Sequence, residues 1–314
     1  CMIEVIFYSN NKVKKGDIKS LKSAKGKYWI SCTNVTLKEL EEVSNITRIP
    51  TYELKHVTDS REKPRVSNRK DYSLIIFRAM FFGNEGKKVT FPVEFIVTKN
   101  FFITLCAEKC EAIEHLQKEI DSLLWKKIEN EGFGALFYTI LFGLIKDYEK
   151  YLEELDDKVD ALEESSLQAL EKDLYTLMHL KRKLVYLRRS LTANKEVLTE
   201  IEHGELNFIK SNELFLELDI EFNQVLGTME LIKDRMIGIT EINIFSESNK
   251  LNQVMKSFTI IATLILLPSL IAGVYGMNIV LPYAQRSDAF LILIVIMVIS
   301  MLIMLWFFRI KGWL

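Results

Sequence analysis

Polar residues are sparse between Ser257 and Phe308, and most of those before Asn278 fall at helical spacing. From Asn278, backward steps of three or four residues meet Gly273, Ser269, Leu266, Ala262, Phe258 or Thr259, Met255 and Asn252. On an α-helix such steps trace one face. This face is small and polar near Asn278, bulky and apolar further back, and ends on Asn252. It carries no fixed charge, so two readings stand. It lines a pore, or it is a packing seam in which Ser269 and Gly273 let helices approach closely.

Other chemistry is thinly represented. No nucleophile–base pair, phosphate-binding glycine loop or metal triad occurs, which argues against an enzyme. The net charge of −1 favours no nucleic-acid partner. Cys32, Cys106 and Cys110 form no disulfide framework, and Cys106, Cys110 and His115 lack a standard zinc spacing. Cys106 reads as a strand-end core cysteine and Cys110 as its exposed neighbour. The acidic run Glu153, Glu154, Asp156, Asp157, Asp160, Glu163, Glu164 reads as a solvated helix face, with weak attraction for divalent cations as the other reading.

Three kinds of element surround these residues. Met2–Tyr8 and the runs Lys27–Cys32, Tyr72–Phe77, Val89–Val97 and Phe101–Cys106 are rich in β-branched and aromatic residues and predict strands. Asn84-Glu85-Gly86 and Lys99-Asn100 signal turns. Thr36 with Glu39 three residues on predicts a capped helix over Thr36–Val43. From Glu111 no proline occurs until Pro268, and Leu, Ile, Glu and Lys recur at helical spacing. Leu152, Leu155, Val159 and Leu162 line one face; Leu174, Leu177, Leu180, Leu184, Leu187 and Leu191 line another. A helical hairpin turning near Ser165-Ser166 follows. A last helix is predicted from about Glu205 to Tyr275, on the order of 105 Å at 1.5 Å per residue.

Only Arg286 and Asp288 are charged between Lys256 and Arg309. Phe258–Tyr275 and Ala289–Phe308 are each long enough to cross a bilayer, and a soluble core helix is seldom apolar on every face. Lys250 and Lys256 precede the first span, while Arg309 and Lys311 follow the second. The flanking charge therefore puts both termini in the cytoplasm of a multi-pass plasma-membrane protein.

The tripeptide Gly276-Met277-Asn278, between a first and a last transmembrane helix, resembles the CorA family of magnesium channels. Ser248–Lys256, Ile260-Ile261-Ala262-Thr263 and Ile271-Ala272-Gly273 are similar to its pore helix, and Arg309–Leu314 to its basic terminus. Lys181-Arg182-Lys183-Leu184 through Arg188-Arg189 resembles its helical hairpin, and Pro64-Arg65-Val66 its N-terminal domain. The family's acidic Met-Pro-Glu-Leu loop is replaced here by Ile279–Asp288, with Arg286 positive and Asp288 as a partial substitute.

The resemblance implies a homopentameric funnel in the lipid bilayer, with divalent cations as partners. Its parts would be a cytosolic α+β domain (1–110), a cytosolic helical hairpin (111–204), a stalk helix (205–256), a pore-lining transmembrane helix (257–278), an external loop (279–288), a second transmembrane helix (289–308) and a basic cytosolic tail (309–314). It implies a selectivity filter at Gly276, Met277 and Asn278, and a pore lined by Asn252, Met255, Phe258, Ala262, Leu266, Ser269 and Gly273. Mg²⁺ would be both transported and regulatory, with Co²⁺ or Ni²⁺ as further ions. Glu241 occupies the position of a regulatory acidic residue, with Asp71 as its candidate partner on a neighbouring subunit. The alternatives are a Zn²⁺ transporter of the same superfamily and a membrane-tethered coiled-coil scaffold.

Overall fold

The computed structural model describes residues 2–9, 12–21, 26–34, 36–83, 89–166, 171–204, 206–209, 213–279 and 287–313. The expected turn at Asn84-Glu85-Gly86 and most of the loop, including Arg286, lie outside these residues. Two compact units emerge, one formed by residues 1–165 with 170–239, the other chiefly by 240–314.

The first unit is a mixed sheet between two helical layers. Its strands are β1 (Met2–Ser9), β2 (Lys12–Gly16), β3 (Tyr28–Thr33), β4 (Arg65–Asn68), β5 (Ser73–Met80), β6 (Thr90–Val97) and β7 (Phe101–Cys106). Their order is β2-β1-β3-β7-β6-β5-β4, antiparallel throughout except for the parallel pair β3–β7. Pro92 sits opposite Arg78 of β5 but just beyond the β7 ladder, which begins at Val93, so its missing N–H costs no bond to β7. β2 and β4 are the edges. Both are short and polar, and β2 carries Lys12, Lys14 and Lys15.

Side chains alternate between the faces, as the period of two requires. Ile75, Phe77, Phe95 and Phe102 point into one core, and Leu74, Ile76, Ile96 and Ile103 into the other. Covered on both faces, β6 is buried along its whole length. The smaller core is closed by α1 (Leu37–Thr47) and a 3-10 helix, Glu53–Thr58, through Leu40, Val43, Leu54 and Val57. The predicted cap at α1 is present: the Thr36 N–H donates to Glu39 Oε2 at 2.8 Å.

The larger core is closed by helices. The segment 111–204, expected as one hairpin, holds four of them: α2 (Glu111–Glu119), α3 (Ser122–Glu131), α4 (Gly134–Ser166) and α5 (Glu171–Glu202). Asp121 interrupts the first stretch by capping α3, accepting from the Leu124 N–H at 2.8 Å. The next helix, α6 (Glu213–Tyr275), adds Phe215, Phe222 and Met229 to this core. Phe95 and Phe137 meet edge to face at 5.2 Å, and Phe137 lies 6.2 Å from Phe215. α4 and α2 meet so closely that a Cβ on Gly143 would stand 2.9 Å from that of Ala112. The leucine faces fall inward as predicted, save that Leu174 is exposed.

One buried polar network ties sheet to helices. Beyond β4, the edge of β5 has unpaired backbone groups at Arg78, and Asn194 of α5 takes both. Its Oδ1 accepts from the Arg78 N–H and its Nδ2 donates to the Arg78 carbonyl, each at 2.8 Å. Tyr148 of α4 donates to the same carbonyl at 2.8 Å. The Arg78 guanidinium donates to the carbonyls of Ser60, Glu62 and Thr90.

The acidic run on α4 is a solvated helix face, as its sequence predicts, with only Asp156 half-buried. Arg235 of α6 pairs with Asp156 at 2.6 Å, Glu163 at 2.7 Å and also Asp160. These carboxylates hold the guanidinium far above its ordinary pKa.

Candidate functional site

The second unit contains the two apolar stretches. α6 runs unbroken to Tyr275 with Pro268 inside it, and α7 (Ala289–Ile310) follows. Both are long and apolar enough to cross a membrane. On α6 the less exposed stripe runs through Ile260, Thr263, Leu264, Leu267, Pro268 and Ile271. α7 has a matching stripe at residues 293, 297, 300, 301, 304, 305 and 308.

Asn252, Met255, Phe258, Ala262, Leu266, Ser269 and Gly273 are all exposed. At 100° per residue they centre about 200° round the helix from the shielded stripe. The candidate pore face is thus the side of α6 opposite its less exposed stripe. Three hydroxyls on this stretch of the helix are bonded to its own carbonyls. Ser257 donates to Gln253 O at 3.0 Å, Thr259 to Met255 O at 2.8 Å and Thr263 to Thr259 O at 2.7 Å. Such back-bonding keeps a hydroxyl satisfied in an apolar medium. Ser300 of α7 does the same with Met297 O at 2.7 Å.

The helix ends in a tightened turn. The Gly276 N–H donates to Ala272 O at 2.8 Å, and the Met277 N–H to Val274 O at 3.3 Å. A Cβ on Gly276 would stand 3.1 Å from that Ala272 oxygen, a tight approach in which the carbonyl would have to give by a few tenths of an ångström. Met277 and Asn278 follow, both exposed. An amide and nearby backbone carbonyls at the tip of a neutral face can accept hydrogen bonds from the water shell of a cation.

Glu241 is exposed on α6 in the second unit, and Asp71 is exposed in the bend before β5 in the first. Among the described residues no three His, Cys, Asp or Glu side chains gather as a metal site. Cys110, expected to be exposed, is buried, as are Cys32 and Cys106. The Cys106 thiol is raised well above its ordinary pKa by its hydrogen bond with Cys110 and by burial, which leaves it unreactive.

A helix-braced sheet leading into two apolar helices, the first with a neutral, polar-tipped face, defines a two-span membrane protein of the transport class. The chain matches the family described as CorA-like Mg²⁺ transporter protein over residues 24–309, and it belongs to that family, whose members are transporters rather than enzymes. It is 29% identical over 289 residues to the cobalt/magnesium transport protein CorA of Methanocaldococcus jannaschii, covering 91% of this chain and 90% of that one. It is 28% identical over 324 residues to the cobalt/magnesium transport protein CorA of Thermotoga maritima, covering 99% and 92%. The complete structure of the CorA magnesium transporter from M. jannaschii matches with a TM-score of 0.87 at 27% identity, covering 100% of this chain and 99% of the other.

Proposed function

We propose that the chain is one subunit of a homopentameric channel that admits Mg²⁺, and Co²⁺ or Ni²⁺ as further ions, into the cytoplasm. The observation that carries this reading is the uncharged, exposed face of α6 ending at Gly276-Met277-Asn278. The similarity to cobalt/magnesium transport proteins supports the choice of ions.

Mg²⁺ gives up its waters reluctantly, so a filter that stripped it would have to replace a very favourable shell. A ring of Asn278 amides avoids that step. Each carbonyl oxygen accepts a hydrogen bond from a polarised ligand water and holds the ion through its outer shell. Gly276 leaves the backbone open for further contacts. Without fixed charge along the face, binding stays weak enough for release. Leu266, Phe258 and Met255 form apolar constrictions that stop ions when they dry. Both termini face the cytoplasm, since Lys250, Lys256, Arg309 and Lys311 flank the spans. Closure is controlled there, by Mg²⁺ bridging Glu241 to an acidic residue of the neighbouring subunit, with Asp71 the candidate.

Flux into liposomes containing the purified chain tests the proposal, with Mg²⁺, Co²⁺, Ni²⁺ and Zn²⁺ compared. Asn278→Ala is expected to remove most Mg²⁺ flux while the oligomer stays intact. Wild-type flux in an assembled mutant overturns the amide filter. Zn²⁺ flux that follows a proton gradient would favour the zinc-transporter reading, and no flux at all the scaffold.

A further inference from the structure

Glu94 has no part in the reading above, yet it is a fully buried carboxylate at the centre of the sheet. It lies in the middle of β6, fully buried, between Ile76 of β5 and Leu105 of β7. Neither carboxylate oxygen has a hydrogen-bond partner among the described residues. A buried carboxylate without donors costs several kcal/mol when ionised. The nearest relief is His56 on the 53–58 3-10 helix, whose Nδ1 stands 3.7 Å from Glu94 Oε1. That is too long for a hydrogen bond but close enough for charge. The same Nδ1 lies 2.8 Å from the Glu53 carbonyl, so the ring is held against its own helix.

The charged groups acting on Glu94 are His56 and Glu53 from the 3-10 helix and Arg65 from β4. Arg65 is engaged by Glu62, and Glu53 by Arg69 and Tyr72 at 3.4 and 3.2 Å. Among the described residues only the imidazole stands within ion-pair reach of the Glu94 carboxylate, and Arg65 acts on it from further off.

We propose that Glu94 and His56 form a proton-holding latch that fastens the 53–58 3-10 helix over the smaller core, and that losing its last proton loosens residues 53–62. With one proton the pair is either a neutral acid beside a neutral ring or an ion pair. Without it, a bare carboxylate remains in the core. Burial already pushes Glu94 up to about 7, against the opposing pull of His56, and the carboxylate raises His56 in turn. Both shifts favour the protonated pair in the folded state. The stability they bring is present in acid and drains away as pH rises past neutrality. The carbonyls of Ser60 and Glu62 accept from Arg78, so loosening reaches the network that Arg78 shares with α5. The N-terminal domain thereby senses pH.

The test is hydrogen exchange on the full chain in lipid nanodiscs, between about pH 6 and about pH 9, corrected for the intrinsic rate. In the wild type, protection of the 53–62 amides should fall at least about tenfold as pH rises, the effect of one pKa unit. The amides around Leu152 in α4 should hold. Glu94→Gln should abolish the fall. His56→Ala removes the ion-pair form of the one-proton state, so the last proton should leave more easily and the midpoint should move to lower pH. A wild-type profile flat in pH, an equal fall in α4, a Glu94→Gln chain that keeps the slope, or an unmoved midpoint in His56→Ala would each overturn the latch.

Discussion

Replacing Asn194 with alanine should destabilise the sheet-bearing unit by about 2–4 kcal/mol, most of it lost at one backbone amide. Asn194 is 1% exposed and spends both ends of its amide on Arg78, through two bonds of 2.8 Å. Truncation leaves the Arg78 N–H buried without an acceptor, worth about 1–3 kcal/mol. The Arg78 carbonyl keeps Tyr148 and loses less. The vacated space adds about 1 kcal/mol. Asn194→Asp separates these contributions. It still accepts from the N–H, but sets a second oxygen against the Arg78 carbonyl, so its deficit should shrink in acid where the carboxyl can donate. Urea unfolding of the full chain in mild detergent, with Trp306 and Trp313 changed to Phe, leaves the fully buried Trp29 and Trp125 as reporters of this unit. An Asn194→Ala midpoint within experimental error of the wild type would refute the argument that the side chain completes the β5 edge.

Glu241→Ala should weaken inhibition by Mg²⁺ added on the cytoplasmic side; coincident dose–inhibition curves would make Glu241 an ordinary exposed glutamate. Gly276→Ala should lower flux without dissociating the oligomer, because its Cβ would press on the Ala272 carbonyl at 3.1 Å and displace Asn278; undiminished flux would show that the turn has room. Burial and Glu111 push Asp147 up to about 6, so its proton stabilises the fold in acid and that stability is lost as pH rises through this value. Asp147→Asn should therefore gain on the order of 1 kcal/mol above pH 6, discounted for partial exposure, and nothing near pH 3; a gain independent of pH would assign the effect to packing.

The central strands were legible because β3, β5, β6 and β7 are continuous apolar runs, the mark of a sheet covered on both faces. The edges β2 and β4 were not, since Lys-Val-Lys-Lys-Gly and Arg-Val-Ser-Asn bury little and owe their form to a neighbour. Breaks around α3 carry no proline; the signals that could have revealed them are Asp121 as its cap and Gly132 at its C-terminal end, with φ of 97°. The exposed face of α6 followed from helical spacing, but nothing along one chain says how many copies face one another. Arg235 among the α4 carboxylates is a contact across more than seventy residues, beyond any local pattern. Glu94 did leave a signal, a lone acid inside Thr-Phe-Pro-Val-Glu-Phe-Ile-Val, which strand alternation alone explains poorly.

The two margins of the sheet bear on how copies of the chain can live side by side. A sheet with a long bare apolar edge would polymerise strand to strand once several copies were crowded into one membrane patch. Here one margin is a lysine-rich ribbon and the other stops after four residues, where Asn194 takes over the backbone of β5. Foreign strands find charge at one side and an occupied template at the other. In the proposed oligomer, neighbouring copies would then have to meet through surfaces other than the sheet edges, which would favour a closed ring over an open-ended fibre.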